Sequence, residues 1–584
     1  MKISAALLAT IALCLSTPAQ APQDTAGVLR AVGVKKGLCV LAGTSSDALP
    51  IDLARGSELL VYVQLEDPER VAALRRAAEA AGLLGTRVYV EKGSLDRLHL
   101  AESLADAVVA GGKAKREEVL RILRPGGNAL FGNETLTKPY PEGADEWSHP
   151  YHGPDNNPQS KDTVARGPYL SQFLAEPWYS AMPQFSVFAG GRIFKIFGER
   201  TSTQAHWESL NSFVALNAWN GTLLWRRPLP EKFMFHRNTL VATADLVYLG
   251  DDVSCKAYDG ATGELRDEIV LPEGISDGPI WKWMALEDGV LYALVGEKEP
   301  PVEVVKGDRF RGAGWPWWKI DDYKFGFGRT LVAMDVKTHK VLWHHKDDHP
   351  LDARSLCMSA GKLFVYSDQR YLMALDQKTG KPLWKSSDEK LLAAIGKHDP
   401  AQFAYKGFAS TSYAKCTDKA VYFAGPTRNR IVAASAEDGR FLWQHEGGNY
   451  QLLIRPEAVY ALGGAREDGP SLKLQPLTGE VIAKFGARVA CTRATANSES
   501  IFVRGGRGGS TTAYDIQSTE VKAGLISPMR PACQDGVVVA NGRLYWGPWI
   551  CRCDTTQVGV ISLAPAGEFD YSPTATEAER LESA

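Results

Sequence analysis

One phrase recurs along the last two thirds of this 584-residue chain: a short apolar run, a turn, then Leu-Trp. It reads VALNAWNGTLLW at Val214 to Trp225, LMALDQKTGKPLW at Leu372 to Trp384, and IVAASAEDGRFLW at Ile431 to Trp443. Fainter copies run over Lys256 to Gly263, Leu331 to Thr338, Leu472 to Gly479, Thr512 to Asp515 and Val558 to Leu563, eight in all. Each clear copy follows a hairpin strand such as Ala189 to Phe197 or Ser359 to Tyr366, with Gly-bearing turns between alternating apolar residues. Gly221 to Gly263 spans 42 residues and Gly439 to Gly479 spans 40, the period of one small sheet per copy. A unit of this kind cannot bury its own faces and must stack against its neighbours, so the chain is expected to close into an eight-bladed β-propeller over 181–570. The count falls to seven if the copy around Tyr514 is not a full sheet. The Trp after each turn (Trp225, Trp343, Trp384, Trp443) is expected to wedge between blades and to carry no chemistry.

The phrase Ala-x-Asp-x-x-Thr-Gly-x-x-x-Trp, clearest at Ala374 to Trp384, resembles the pyrroloquinoline-quinone (PQQ) repeat of quinoprotein alcohol dehydrogenases and of related non-enzymatic propellers. That resemblance implies the fold over about Trp147 to Phe569 and is neutral on activity, because the repeat is structural.

The chain begins Met1-Lys2, continues with an apolar run from Ile3 to Leu15 and reaches Ala19-Gln-Ala21, the pattern of a secretory signal peptide over 1–21. Export to the periplasm or medium is expected, with no transmembrane span once the signal is removed. A net charge of -2 gives no reason to expect nucleic acid or an anionic membrane as partner. Nine cysteines become eight without Cys14. Four of them, Cys491, Cys533, Cys551 and Cys553, fall in the last hundred residues and are expected to form one or two disulfides that close the ring. Residues 571–584 read as a disordered tail.

From Gly37 to Phe131 the pattern alternates strand and helix, the mark of a parallel Rossmann-like α/β unit, here bounded at 30–135. Strands are expected at Leu38 to Leu41, Leu59 to Val63, Arg87 to Val90 and Ala105 to Ala110. A helix is expected from Pro68 to Ala81 with Asp67 as its N-cap and Gly82 as its stop. The stretch Val119 to Phe131 makes this unit similar to class I S-adenosylmethionine (SAM)-dependent methyltransferases. The resemblance implies a cofactor site at Gly43, Gln64 and Glu66, but only one of three loop glycines is kept and Gln64 stands where an acidic residue is expected. The domain therefore reads as one that kept its fold and lost its ligand.

Residues just before each inner strand should face the propeller axis. They include His236, Arg237, Trp281, Lys282, Trp283, Arg354, Gln451, Arg493, Arg530 and Asp535. Their cationic members would suit a carboxylate- or phosphate-bearing small molecule or an acidic protein segment. The alternative is that they pair with Asp352, Asp535 and backbone carbonyls and fill a structural channel. Between the domains, 136–180 reads as a linker docking on the propeller; within it His149, His152 and Asp155 are candidate metal ligands.

Three functions follow. The leading one is a non-catalytic binding or scaffolding propeller with a basic funnel and no fixed cofactor. The second is a PQQ- and Ca²⁺-dependent oxidoreductase of alcohols or sugars, although neither an adjacent Cys-Cys pair nor a Cys-x-x-Cys-His haem site is present. The third is SAM-dependent methyl transfer by the first domain.

Overall fold

The computed structural model describes residues 24–111, 113–178, 182–200, 211–229, 238–298, 304–306, 316–318, 326–397, 411–425, 428–464, 470–489, 492–505, 510–517, 521–527, 529–532, 535–548 and 559–567. The signal segment 1–21, the tail 571–584, His236, Arg237, Cys491, Cys533, Cys551 and Cys553 lie outside the described residues. The chain forms two compact units, Met1–Tyr140 and Pro141–Ala584.

The first unit is a six-stranded sheet built from β1 (Lys36–Ala42), β2 (Glu58–Leu65), β3 (Val88–Lys92), β4 (Ala105–Ala110), β5 (Leu123–Phe131) and β6 (Glu134–Thr137). The spatial order is β3-β2-β1-β4-β5-β6, parallel except for β6, which pairs antiparallel with β5. Cys39 to Ala42 are fully buried, as a strand covered on both faces requires. The helix Pro68–Ala80 starts at Asp67, whose side chain accepts from the Glu69 N–H, and Gly82 follows its end at φ +69°. No described helix is long and apolar enough to cross a membrane.

The second unit holds eight four-stranded antiparallel sheets, at 182–228, 240–269, 280–352, 357–386, 414–446, 451–485, 495–527 and 538–565, here blades 1 to 8. The copy around Tyr514 is a full blade, so the count is eight. Blade 8 takes its outer strand from Tyr169–Ala175, which runs antiparallel to Val560–Pro565. The segment 136–180, expected as a linker, thus ends as part of the ring. Backbone hydrogen bonds between early and late parts of the chain complete the last blade and pair the outward edge of Val560–Pro565.

The repeat phrase explains itself in three dimensions. Its Trp, on the outer strand of one blade, donates Nε1 to a turn carbonyl of the next: Trp225 to Gly260, Trp343 to Gln377, Trp384 to Ala436 and Trp443 to Pro476, at 2.8 to 3.2 Å. The glycine of that next turn lies under the indole. Gly263 sits at φ +70°, and a Cβ there would come within 2.6 Å of Trp225. Only glycine meets both demands, which is why Gly and Trp recur together.

One further element organises the ring. Residues 145–165 form a strap that touches all eight blades. Trp147 exchanges hydrogen bonds with Phe188 of blade 1, the Ser148 carbonyl accepts from Ala242 of blade 2, and His149 accepts from the Leu286 N–H of blade 3. Pro154 and Asp155 carbonyls accept from Met358 and Cys416 of blades 4 and 5. Asn157 bonds both the N–H and carbonyl of Ile454 in blade 6, Pro158 accepts from Ala496 in blade 7, and Asp162 accepts from Gly542 in blade 8. Ala242, Cys416, Ile454 and Ala496 are the last residues of their innermost strands. The strap therefore crosses one mouth of the ring. Because strands alternate in direction, the residues preceding the innermost strands and the turns joining second to third strands lie at the opposite, open mouth.

Candidate functional site

The open mouth is where the described members of the expected funnel belong, but most of them are built into its wall. Trp281, Lys282 and Trp283 lie within the innermost strand Ile280–Glu287 and are at most 2% exposed. Arg354, 2% exposed, makes a two-point ion pair with Asp352 (Nε–Oδ1 2.7 Å, Nη2–Oδ2 2.8 Å), and Tyr413 adds its hydroxyl to Asp352 Oδ2 at 2.8 Å. Arg530 is 1% exposed. Gln451 accepts from the Ala494 N–H at 2.8 Å. Asp535 does not face a cation of the funnel; it takes hydrogen bonds from Lys195 Nζ and Ser186 Oγ, each at 2.7 Å, across the seam between blades 8 and 1. A cavity of about 10 Å³, room for one water, opens beside that trio.

On the axis the strap inserts Tyr151. Its hydroxyl accepts from the Ser412 N–H at 2.8 Å, and Arg493 lies 4.0 Å from its ring centroid while donating Nη1 to the Pro150 carbonyl. Lys415 Nζ approaches the same ring at 5.3 Å and donates to the Asn156 carbonyl at 2.6 Å. Burial, then the charge of Arg493, pull the Lys415 amine down to about 7. Sequence reasoning missed Lys415 and Tyr151 because neither sits in a motif; only the strap brings them together.

The candidate metal ligands are spent elsewhere. His149 is held between Ser148 Oγ (2.8 Å) and the Leu286 N–H (3.1 Å), and burial lowers its imidazole to about 3. His152 Nε2 bonds Asp145 Oδ2 at 2.7 Å. Burial would raise the Asp145 carboxyl, but His152 and backbone N–H groups outweigh it and hold it at about 2. Asp155 accepts from the Asn157 N–H, and burial raises its carboxyl. Among the described residues no three His, Cys, Asp or Glu side chains converge to hold a metal.

In the first unit Gly43, Gln64 and Glu66 do not frame a cofactor. Gln64 is fully buried, donating Nε2 to the Ser94 and Arg97 carbonyls (2.7 and 3.0 Å) and accepting at Oε1 from His99 N–H and Tyr62 OH (both 2.9 Å). Its amide is occupied in fixing the 94–99 loop. Leu95 of that loop packs against Gly43, where a Cβ would meet it at 2.6 Å. Glu66 is exposed and faces Lys113 at 3.6 Å.

The second unit is an eight-bladed β-propeller whose repeat phrase resembles the PQQ repeat. Residues 328–545 match the family model described as outer membrane protein assembly factor BamB. A comparison with curated proteins gave no match. Among solved structures, the chain is similar to the quinohemoprotein alcohol dehydrogenase of Comamonas testosteroni at 12% identity, over 74% of this chain and 82% of that one, TM-score 0.44. It is similar to BamB of Moraxella catarrhalis at 12% identity, over 60% and 93%, TM-score 0.34. A putative SAM-dependent methyltransferase of Methanococcus maripaludis aligns at 22% identity over 18% of this chain and 51% of that one, TM-score 0.17. The strand order, not these likenesses, fixes the fold.

Proposed function

We propose that the protein is an exported, non-catalytic binding propeller whose open mouth receives an anionic small molecule or an acidic partner segment. The carrying observation is charge at that mouth. Lys282, Arg354, Arg428, Arg488, Arg493, Arg504 and Arg530 are all buried there, against four buried carboxylates, Asp251, Asp347, Asp352 and Asp535, among the described residues. A low-dielectric rim with this imbalance attracts anions more strongly than the same charges in water. The strap supports the reading by crossing the other mouth, with backbone and side-chain hydrogen bonds to every blade. Export rests on the pattern of residues 1–21.

The test is calorimetric titration of the mature protein with PQQ, used here as a tricarboxylate probe, with and without Ca²⁺. Binding that needs no Ca²⁺ and weakens with salt supports the reading. Ca²⁺-dependent binding with dye reduction by alcohols or sugars would replace it with the oxidoreductase, and no binding would remove the anionic class.

A further inference from the structure

Two turns at the open mouth, between the second and third strands of blades 4 and 5, bring Asp368 and Arg428 together. Arg428 is 3% exposed. Its guanidinium lies 3.9 Å from the Tyr413 ring centroid and 5.8 Å from that of Tyr366, and Nη1 donates to the Gly396 carbonyl at 2.8 Å. Stacking and that bond fix the plane of the fork. Its other edge is unused: Nε and Nη2 are buried without a hydrogen-bond partner. Nη2 stands 3.8 Å from Asp368 Oδ1, beyond hydrogen-bond reach, and Oδ1 is also without a partner. Buried polar atoms in native proteins are nearly always satisfied, so three unsatisfied atoms within one loose ion pair point to a missing group. The Asp368 side chain is 20% exposed and its neighbours Gln369 and Arg370 are exposed, so the pair lies just beneath the surface of that turn.

The missing group must accept from two N–H donors and donate to a carboxylate. We propose that Arg428 and Asp368 form a recognition site for the main-chain amide of an extended peptide, the fork taking its carbonyl and Asp368 an N–H. Three observations select this chemistry. The local charges Arg354, Arg428, Asp352 and Asp368 sum to zero, which favours a neutral donor–acceptor group over a simple ion. Tyr366 and Tyr413 are at most 1% exposed, behind the guanidinium, so no aromatic platform is open for a sugar ring. An extended residue presents its N–H and C=O side by side on one edge, as the donor and acceptor are paired here. The site gives the partner segment of the proposed function its first specific contact, and it rests on that reading.

The probe is an immobilised set of uncharged, N-acetylated, C-amidated heptapeptides, with the tightest binder then titrated calorimetrically. Wild-type protein is expected to bind it. Asp368→Ala, at an exposed turn, and Arg428→Lys, which keeps the charge and loses the fork, should each weaken it about tenfold or more, the scale of a charge-assisted hydrogen bond. Both variants should keep the wild-type far-UV circular dichroism spectrum, which separates loss of the site from loss of the fold. Failure of wild type to bind any peptide, or equal binding by the variants, overturns the site and leaves an ordered water only between Arg428 and Asp368. If wild type still binds PQQ in that case, the proposed function stands alone; loss of both removes both.

Discussion

Lys195 of blade 1 and Asp535, at the entry to blade 8, form a buried ion pair with Nζ–Oδ2 2.7 Å across the seam where the ring closes. Both side chains are at most 6% exposed. Each charge is tolerable only because of the other, and Ser186 adds a third polar contact. Removing one partner, as in Lys195→Met or Asp535→Ala, should destabilise the propeller by about 3–5 kcal/mol, whereas Lys195→Met with Asp535→Leu should recover most of it. Urea unfolding midpoints of the single and double variants check this.

The glycine beneath each indole carries a second prediction. Gly439 sits at φ +73°, and a Cβ there would stand 2.5 Å from Trp384. Gly439→Ala is expected to cost roughly 1–3 kcal/mol through backbone strain and displacement of the ring. Gly361, at φ +75° with nothing within 4 Å, supplies the comparison, since Gly361→Ala meets the backbone term alone. Equal losses in thermal melts would mean the Trp contact contributes nothing.

The strap has a pH signature of its own. Asp145 is held at about 2 against an ordinary 3.8, so the folded state binds the proton more weakly than the unfolded chain. Its contribution is present above about pH 4 and is lost as pH falls toward 2. Asp145→Asn should flatten that part of the acid unfolding curve; an unchanged curve would place the anchor elsewhere.

Lys415 acts in the opposite range. Its folded value of about 7 lies below the ordinary 10.5, so between these pH values the unfolded chain holds the extra proton. Stability should therefore rise with pH from about 7 toward 10. Lys415→Met should be more stable at neutral pH and show less of that slope, as read from urea midpoints at pH 6, 7.5 and 9.

The propeller was legible because its signal is repeated. Trp225, Trp343, Trp384 and Trp443 each announce a local turn and a neighbouring blade, so one interaction is written several times in the chain. The parallel sheet around Cys39 to Ala42 and the helix after Asp67 were legible for local reasons, a continuous apolar run and a cap. The strap was visible only as a polar, Pro-rich stretch. That it rounds the whole ring depends on hydrogen bonds that Asn157 and Asp162 make with residues about 300 or more positions away, for which no local pattern exists. The sequence offered Asp352 as a partner for a funnel cation, and it pairs with Arg354, but no local pattern pointed Asp535 to Lys195 some 340 positions away. Arg428 and Asp368 carry no motif; their significance is two unfilled valences meeting in space.

On the proposed function, the mouth opposite the strap is the one that binds. Hydrogen exchange of the mature protein, followed by mass spectrometry with and without saturating PQQ, tests it directly. Protection around 281–283, 352–354 and 492–493, with exchange across 145–165 unchanged, is the predicted result. Protection confined to 145–165, or none anywhere at saturation, would contradict it.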